Sequence, residues 1–144
     1  MSLSQIPVAA VLGHPIAHSK SPRLHNFWLS KFGVNGYYIP LDIDPINFEK
    51  HIRSLPRLGF VGANVTIPYK EKILKVADKI SDRAAIIGAA NTLTFLSDGK
   101  IYADNTDGYG FIQNIKSQYK DWTAKDGMSV VFGAGGASRA ILGA

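Results

Sequence analysis

Residues 7 to 67 alternate between short apolar runs and helix-patterned stretches, and that order leaves the chain few architectures. "PVAAVL" at 7–12 is continuous and apolar, as a strand buried on both faces is. "SPRLHNFWLSKFG" then reads as a helix with Ser21 as N-cap, Pro22 at its first position and Gly33 as its stop. Leu24, Phe27, Trp28 and Phe32 form its apolar stripe. "YYIPLDI" is a second strand, Asp44 and Pro45 open a helix carrying Phe48, Ile52 and Leu55, and "FVGANVTI" is a third strand. Strands joined through helices in this way make parallel neighbours, because a parallel connection must carry the chain back to its starting edge.

Further along, a helix is expected from about Tyr69, Ser81 caps a short helix through Ile87, and "NTLTFL", "SDG" and "KIYAD" form a hairpin. A helix from about Gly108, with Tyr109, Ile112 and Ile115 on one side, leads to a polar turn at Asp126 and Gly127, and "MSVVF" is the last strand. The fold class is therefore α/β: a mostly parallel sheet flanked by helices, with the hairpin as its antiparallel element, over residues 1–107. A linking helix and turn occupy 108–125. Residues 126–144 read as the first strand and glycine-rich loop of a truncated Rossmann-type unit.

Composition narrows the function. The chain has 144 residues, 46% of them hydrophobic, which is enough for one domain with a core. It has no cysteine, so disulfides, thiolate catalysis and cysteine-type zinc sites are excluded. The N-terminus lacks the basic segment of a secretory leader, and no run approaches the ~18 apolar residues of a membrane span, so a cytoplasmic protein without a membrane partner is expected. The net charge of +5 is scattered, and Lys70, Lys72, Lys75 and Lys79 are interleaved with Glu71 and Asp78. That pattern is a solvated helix face, not a nucleic-acid site, and a mild positive balance suits an anionic small molecule. His14, His18 and His25 have no metal-ligand spacing, and no metal is expected. Oligomeric state is not written in the sequence.

Five segments carry chemistry. In "MSVVFGAGGASRAILGA" a strand runs through Gly133, Gly135 and Gly136 into a helix, the arrangement that presents backbone N–H groups to a pyrophosphate. Ser138 stands at the third fingerprint position, and a plain tight turn is the competing reading. The residue that would recognise the ribose lies about 20 residues on, beyond Ala144. One strand and the start of one helix do not build a dinucleotide domain, so the remaining chemistry lies upstream. "HSKSP" puts Ser19 and Ser21 at a helix start, where a carboxylate is welcome, although Ser21 also suits a simple cap. "GANVTIPYK" sets Asn64 and Thr66 at a strand's carboxyl end, where α/β sheets gather ligands, and Lys70 in the helical turn that follows. In "DNTDGYG", Asp107 is either a helix cap or a carboxylate that holds the Lys70 ammonium and aims it at a substrate hydroxyl. Asn91, heading a strand in "GAANTL", ties a turn or meets a ligand.

In order, "GHPIAHSKSPRLHN", "GANVTIPYK", "GAANTL", "DNTDGYG" and "VVFGAGGASRA" resemble the shikimate dehydrogenase family across nearly the whole chain. The resemblance implies an enzyme of aromatic amino-acid biosynthesis that reversibly reduces 3-dehydroshikimate to shikimate with NADPH. In the family an N-terminal α/β domain binds the substrate and a C-terminal Rossmann domain binds the cofactor. Carried over residue by residue, the substrate carboxylate falls to Ser19 and Ser21, hydroxyl contacts to Asn64, Thr66, Asn91 and Asp107, and the catalytic pair to Lys70 and Asp107. Lys70, which also touches the substrate, gives a proton to the carbonyl oxygen or polarises it as a charge. Gly133, Ala134, Gly135, Gly136 and Ala137 match the loop under the pyrophosphate of NADP, with NAD as the alternative cofactor. The family's remaining cofactor domain lies beyond Ala144, and the helix after Gly136 is expected to expose Ala140, Ile141 and Leu142. Both point to a fragment that does not turn over alone. A quinate/shikimate dehydrogenase using NAD and a non-catalytic shikimate-binding module remain open. A phosphate binder of the P-loop kind lacks its Lys-Ser/Thr ending.

Overall fold

The computed structural model describes residues 6–125 and 127–144. Strands β1 (Val8–Gly13), β2 (Tyr37–Asp42) and β3 (Phe60–Val65) run parallel with β1 in the middle. Helix α1 (Ser21–Lys31) returns the chain from β1 to β2, and α2 (Phe48–Ser54) from β2 to β3. The short edge strand β4 (Lys79–Ile80) and helix α3 (Asp82–Ile87) precede the hairpin of β5 (Thr92–Phe95) and β6 (Ile101–Asp104). The six-stranded sheet has the order β2-β1-β3-β5-β6-β4, and β5 alone runs against its neighbours. Helices α4 (Asp107–Gln118) and α5 (Gly136–Leu142) follow. Among the described residues no helix is long and apolar enough to cross a membrane.

The larger core cluster lies on one face of the sheet. Ala10, Leu12, Ala63, Val65 and Leu93 point to it from alternate strand positions, and Phe48 and Ile52 of α2 cover them together with Tyr69 and Ile73. The spacing of Phe48, Ile52 and Leu55 therefore reports a buried helix face, all three being under 5% exposed. Asp44 caps this segment as expected, its carboxylate accepting from the Ile46 N–H at 2.7 Å.

Several local expectations are corrected. Lys20, not Ser21, occupies the N-cap of α1; Ser21 is the first helical residue, and the Ser19 hydroxyl accepts its N–H at 3.3 Å. Gly33 does stop the helix, with φ of 64°, a region open to glycine. The apolar stripe Leu24, Phe27, Trp28 and Phe32 stays 43–70% exposed. Helix α1 meets the sheet instead through Leu29, through His25 stacked on Tyr38, and through Asn26, whose amide takes both backbone groups of Tyr38 on the edge strand. The helix expected from Tyr69 is a four-residue 3-10 turn, Lys72–Lys75, and Lys70 lies in the bend before it. Lys70 O accepts the Ala90 N–H at 2.7 Å, so its carbonyl is committed to another segment rather than to a helical ladder. Lys79 sits in β4 rather than on a helix face.

At the C-terminal end, "MSVVF" is not a strand: Met128, Val130 and Phe132 are 70–96% exposed and pair with no neighbour among the described residues. A strand pattern forms a strand only where another strand accepts its backbone bonds. Asp126, placed in the polar turn, lies outside the described residues. Ala140, expected to be exposed, is fully buried against Ile87 and Ala89, whereas Leu142 is exposed as expected.

One carboxylate locks the hairpin to α3. Asp104 accepts from Ser81 Oγ (2.6 Å), Arg83 Nε (2.6 Å), Arg83 Nη2 and the Asn105 N–H (2.7 Å). The Arg83 guanidinium, aided by Ser81 and the Asn105 amide and opposed by partial burial, holds this carboxyl well below the usual range. A depressed carboxylate contributes stability that is present above its unfolded value, about pH 4, and lost as pH falls through the folded value. The urea midpoint of the Asp104→Asn variant should therefore lie furthest below the parent's above about pH 4 and converge with it toward about pH 2. A gap independent of pH over that interval would show that the charge of Asp104 contributes nothing.

Candidate active site

The topology brings the candidate residues to one edge of the sheet. β1, β2, β3 and β6 all end there, and the antiparallel β5 begins there, so Asn64 of β3 lies opposite Thr92 of β5, which lies opposite Asp104 of β6. Loops that leave these ends carry Ser19 and Ser21 after β1, Thr66 and Lys70 after β3, Asn91 before β5 and Asp107 after β6. This is the carboxyl edge at which open α/β sheets gather ligands.

At its centre Lys70 Nζ stands 2.5 Å from Asp107 Oδ2, with 18% and 31% of the two side chains exposed. Asp107 Oδ1 accepts from Asn91 Nδ2 at 2.6 Å. The other end of the Asn91 amide is fixed as an acceptor, because Thr106 N–H (3.0 Å) and Thr92 Oγ1 (2.8 Å) donate to Asn91 Oδ1. Asp107 is the first residue of α4 rather than its cap. Thr106 holds the cap position, and the Asp107 N–H is taken by Asn105 Oδ1 at 3.0 Å. The Asp107 carboxylate is thereby released from capping and faces Lys70. Asn105 is 1% exposed and anchors this turn from below through Nδ2 to Ala89 O at 2.9 Å.

Asn64 is held in a second network. Tyr38 Oη donates to Asn64 Oδ1 at 2.6 Å, and Asn64 Nδ2 faces Asn91 O (3.3 Å) and Thr92 Oγ1 (3.5 Å). Burial pushes the Tyr38 phenol up to about 12, so it remains a neutral donor at working pH and sets which way the Asn64 amide points. Burial also lowers the stacked His25. Thr66 is fixed by its N–H to Leu12 O (2.9 Å), and its methyl group packs where any side chain at Gly13 would stand.

The Ser19 and Ser21 loop is tied to the same edge by backbone. Ser19 N–H reaches Ile16 O at 2.9 Å, Ile16 N–H reaches Asp42 Oδ2 at 3.4 Å, and His14 Nδ1 lies 2.5 Å from Asp42 Oδ1. The His14 contact, helped by the Ile16 N–H, lowers the Asp42 carboxyl. The two serine hydroxyls make no direct bond to the Lys70 cluster. They form a separate polar group at the same sheet edge. An apolar groove of about 510 Å³ on the α1 face reaches Asn64 and Thr92 but not Lys70, and is not the polar site.

The glycine-rich loop keeps, at Gly135, the free space that a pyrophosphate would need. Gly133 has φ of 116°, a conformation side-chain-bearing residues rarely adopt, and Gly135 has open space where a Cβ would project. Gly136 has no such space: a Cβ there would lie 3.3 Å from Cβ of Lys70 and of Ala89. Of Gly133, Ala134, Gly135, Gly136 and Ala137, it is Gly136 that the structure sets against Lys70.

Tyr38, Thr92, Asn105 and Thr106 were not singled out from the sequence. Asn105 and Thr106 stand inside "DNTDGYG", and Thr92 beside Asn91; their adjacency to candidate residues is the signal that would have found them. Tyr38 had none, since an aromatic in a strand reads as core.

A family model described as the shikimate dehydrogenase substrate binding domain matches residues 11–93. The shikimate dehydrogenase (NADP(+)) of Roseobacter denitrificans is 57% identical over 142 residues, 99% of this chain and 51% of that protein. The crystal structure of shikimate dehydrogenase from Aquifex aeolicus superposes with a TM-score of 0.90 at 38% identity, over 99% of this chain and 53% of that one. The Thermus thermophilus enzyme, in complex with NADP(H) and shikimate, gives 0.86 at 38% identity, over 94% and 50%. The chain spans about half the length of the curated relatives it matches. With its substrate-binding domain recognised over more than half of its residues, the chain belongs to the shikimate dehydrogenase family.

Proposed function

We propose that this chain carries the substrate-binding half of an NADP-dependent shikimate dehydrogenase, which reduces 3-dehydroshikimate to shikimate reversibly. In this reading residues 1–107 bind the substrate, 108–125 link, and 126–144 begin the cofactor domain. In this reading the enzyme works in the cytoplasm. The observation that carries the reading is the Lys70–Asp107 contact at 2.5 Å beside Asn91, at the carboxyl edge where open α/β sheets gather ligands.

The ring carboxylate of the substrate is assigned to Ser19 and Ser21, and its hydroxyls to Asn64, Thr66, Asn91 and Asp107. When bound, NADPH supplies the hydride that reduces the ring carbonyl. Lys70 delivers a proton to the oxygen as the negative charge develops there and takes it back in the reverse direction. Asp107 keeps the ammonium aimed at that oxygen, and Asn91 keeps Asp107 from turning away. Between them the Thr106 N–H and the Thr92 hydroxyl, both donating to Asn91 Oδ1, hold the amide in the orientation this requires.

Shikimate titrated calorimetrically into the complete protein tests the assignment. Ser19→Ala and Thr66→Ala should each weaken binding about two- to tenfold, the range of one lost hydrogen bond. Unchanged affinity in both variants would remove these residues from the site.

A further inference from the structure

We infer that Arg139 is a positioning residue for the cofactor loop: it ties the glycine-rich loop to the segment that carries Lys70, and so fixes the spacing between bound dinucleotide and the Lys70–Asp107 pair. The inference rests on the proposed function and adds to it a residue that touches neither substrate nor reacting atoms.

Arg139 grips two segments at once. Its Nε donates to Ala134 O, inside the loop, at 3.2 Å, and its Nη1 lies 3.2 Å from Glu71 Oε2, on the residue next to Lys70. The guanidinium lies against Gly88, at the left-handed end of α3, where a Cβ would stand in ordinary contact with Nη1 at 3.6 Å. A planar fork with several fixed donors can hold a carbonyl and a carboxylate together; an ammonium, as a single point charge, is not matched to that geometry.

The clamp matters because nothing separates the loop from the reacting side chain. Gly136 rests against the Lys70 stem: a Cβ on it would lie 3.3 Å from Lys70 Cβ and 3.4 Å from Lys70 Cδ. Gly136 and Arg139 are three residues apart in α5 and so are neighbours on its surface. Any shift of the loop that releases Arg139 from Glu71 therefore changes how the loop sits on Lys70. Both charged partners are about half exposed (46% and 53%), so the pair adds little to overall stability, and its removal should be felt in loop placement rather than in folding.

The test is the dissociation constant of NADP+ for the complete protein, by calorimetry, in Arg139→Glu, Glu71→Arg and the double exchange, with shikimate affinity measured alongside. Each single variant should bind NADP+ about three- to fivefold more weakly, and the double exchange, which restores the ion pair but not the donor to Ala134 O, should recover part of the loss. Shikimate affinity should stay within about twofold, since neither residue lines its site. Glu71→Arg is the discriminating variant. If Arg139 acted only by attracting the phosphates, the added positive charge would tighten NADP+ binding. Tighter binding by Glu71→Arg, parental binding by both single variants, or a double exchange no better than Arg139→Glu would each overturn the clamp while leaving the proposed function intact. A parent protein that binds shikimate but not NADP+ would overturn both together.

Discussion

Lys70→Ala in the complete protein should lower kcat for shikimate oxidation by about 10²- to 10⁴-fold, the usual worth of a positioned acid–base group. Lys70 Nζ is the one ammonium in contact with the Asp107 carboxylate among the described residues, and Asp107 is itself fixed by Asn91. Removing the amine leaves the developing charge on the substrate oxygen without its proton, and no other described cation is placed beside Asp107. Lys70→Arg separates two roles of the lysine. Arginine keeps the positive charge but does not release a proton at working pH. If Lys70 transfers the proton, Lys70→Arg is nearly as slow as Lys70→Ala; if it only polarises the oxygen, Lys70→Arg retains much of the parental rate. A loss below about tenfold in Lys70→Ala would take Lys70 out of the reaction.

Tyr69→Ala should destabilise the fold by ~3–5 kcal/mol, the range for deleting a large aromatic from a packed core. Tyr69 is 1% exposed, stacks on Phe48 with ring centroids 4.3 Å apart, and donates its hydroxyl proton to Ile43 O. Burial, reinforced by the negative charges of Asp44 and Asp42, pushes its phenol up, so it stays a neutral donor. Tyr69→Phe keeps the stack but strands a buried carbonyl, and should cost ~1–3 kcal/mol. Tyr69 is the residue that fastens the Lys70 bend to the core. Tyr69→Phe should therefore lose more in kcat than a stability change alone would bring, because Lys70 is the next residue. Urea unfolding of both variants gives the stability values; a cost under about 1 kcal/mol for Tyr69→Ala would contradict the packing described.

Local patterns carried much of this architecture. The spacing of Phe48, Ile52 and Leu55, the Asp44 cap, the Ser81 cap with its Oγ accepting from the Ala84 N–H at 3.1 Å, and the β5–β6 hairpin are all decided within a few residues and were legible. The errors came where a distant segment decides. Leu24, Phe27, Trp28 and Phe32 make a good helical stripe, yet α1 docks through His25, Asn26 and Leu29 because these face the β1 and β2 backbone. The proline and polar run that follow a strand predict a helix at Lys70, and the pull of Ala90 on its carbonyl is invisible in sequence. "MSVVF" has the composition of a strand and lacks a partner.

The site was legible in part for the same reason. Asn64, Lys70, Asn91 and Asp107 stand in motifs whose order resembles one family, and the structure brings these four together through direct or shared hydrogen bonds. Ser19, Ser21 and Thr66 reach the same edge without bonding to them. Tyr38 escaped notice because its role depends on a partner 26 residues away in another strand. Asn105 escaped because burial, which makes an asparagine structural, is a property of the fold and not of its neighbours in sequence.

The most direct test of the central claim is a steady-state assay of the complete protein with shikimate or quinate, and NADP+ or NAD+, following the absorbance of the reduced nicotinamide. The expected result is turnover of shikimate with NADP+, with a higher kcat/KM than for quinate or with NAD+, abolished to within about 1% of the parent by Lys70→Ala. Absence of turnover by a protein that still binds shikimate would contradict it and would leave a binding module in place of an enzyme.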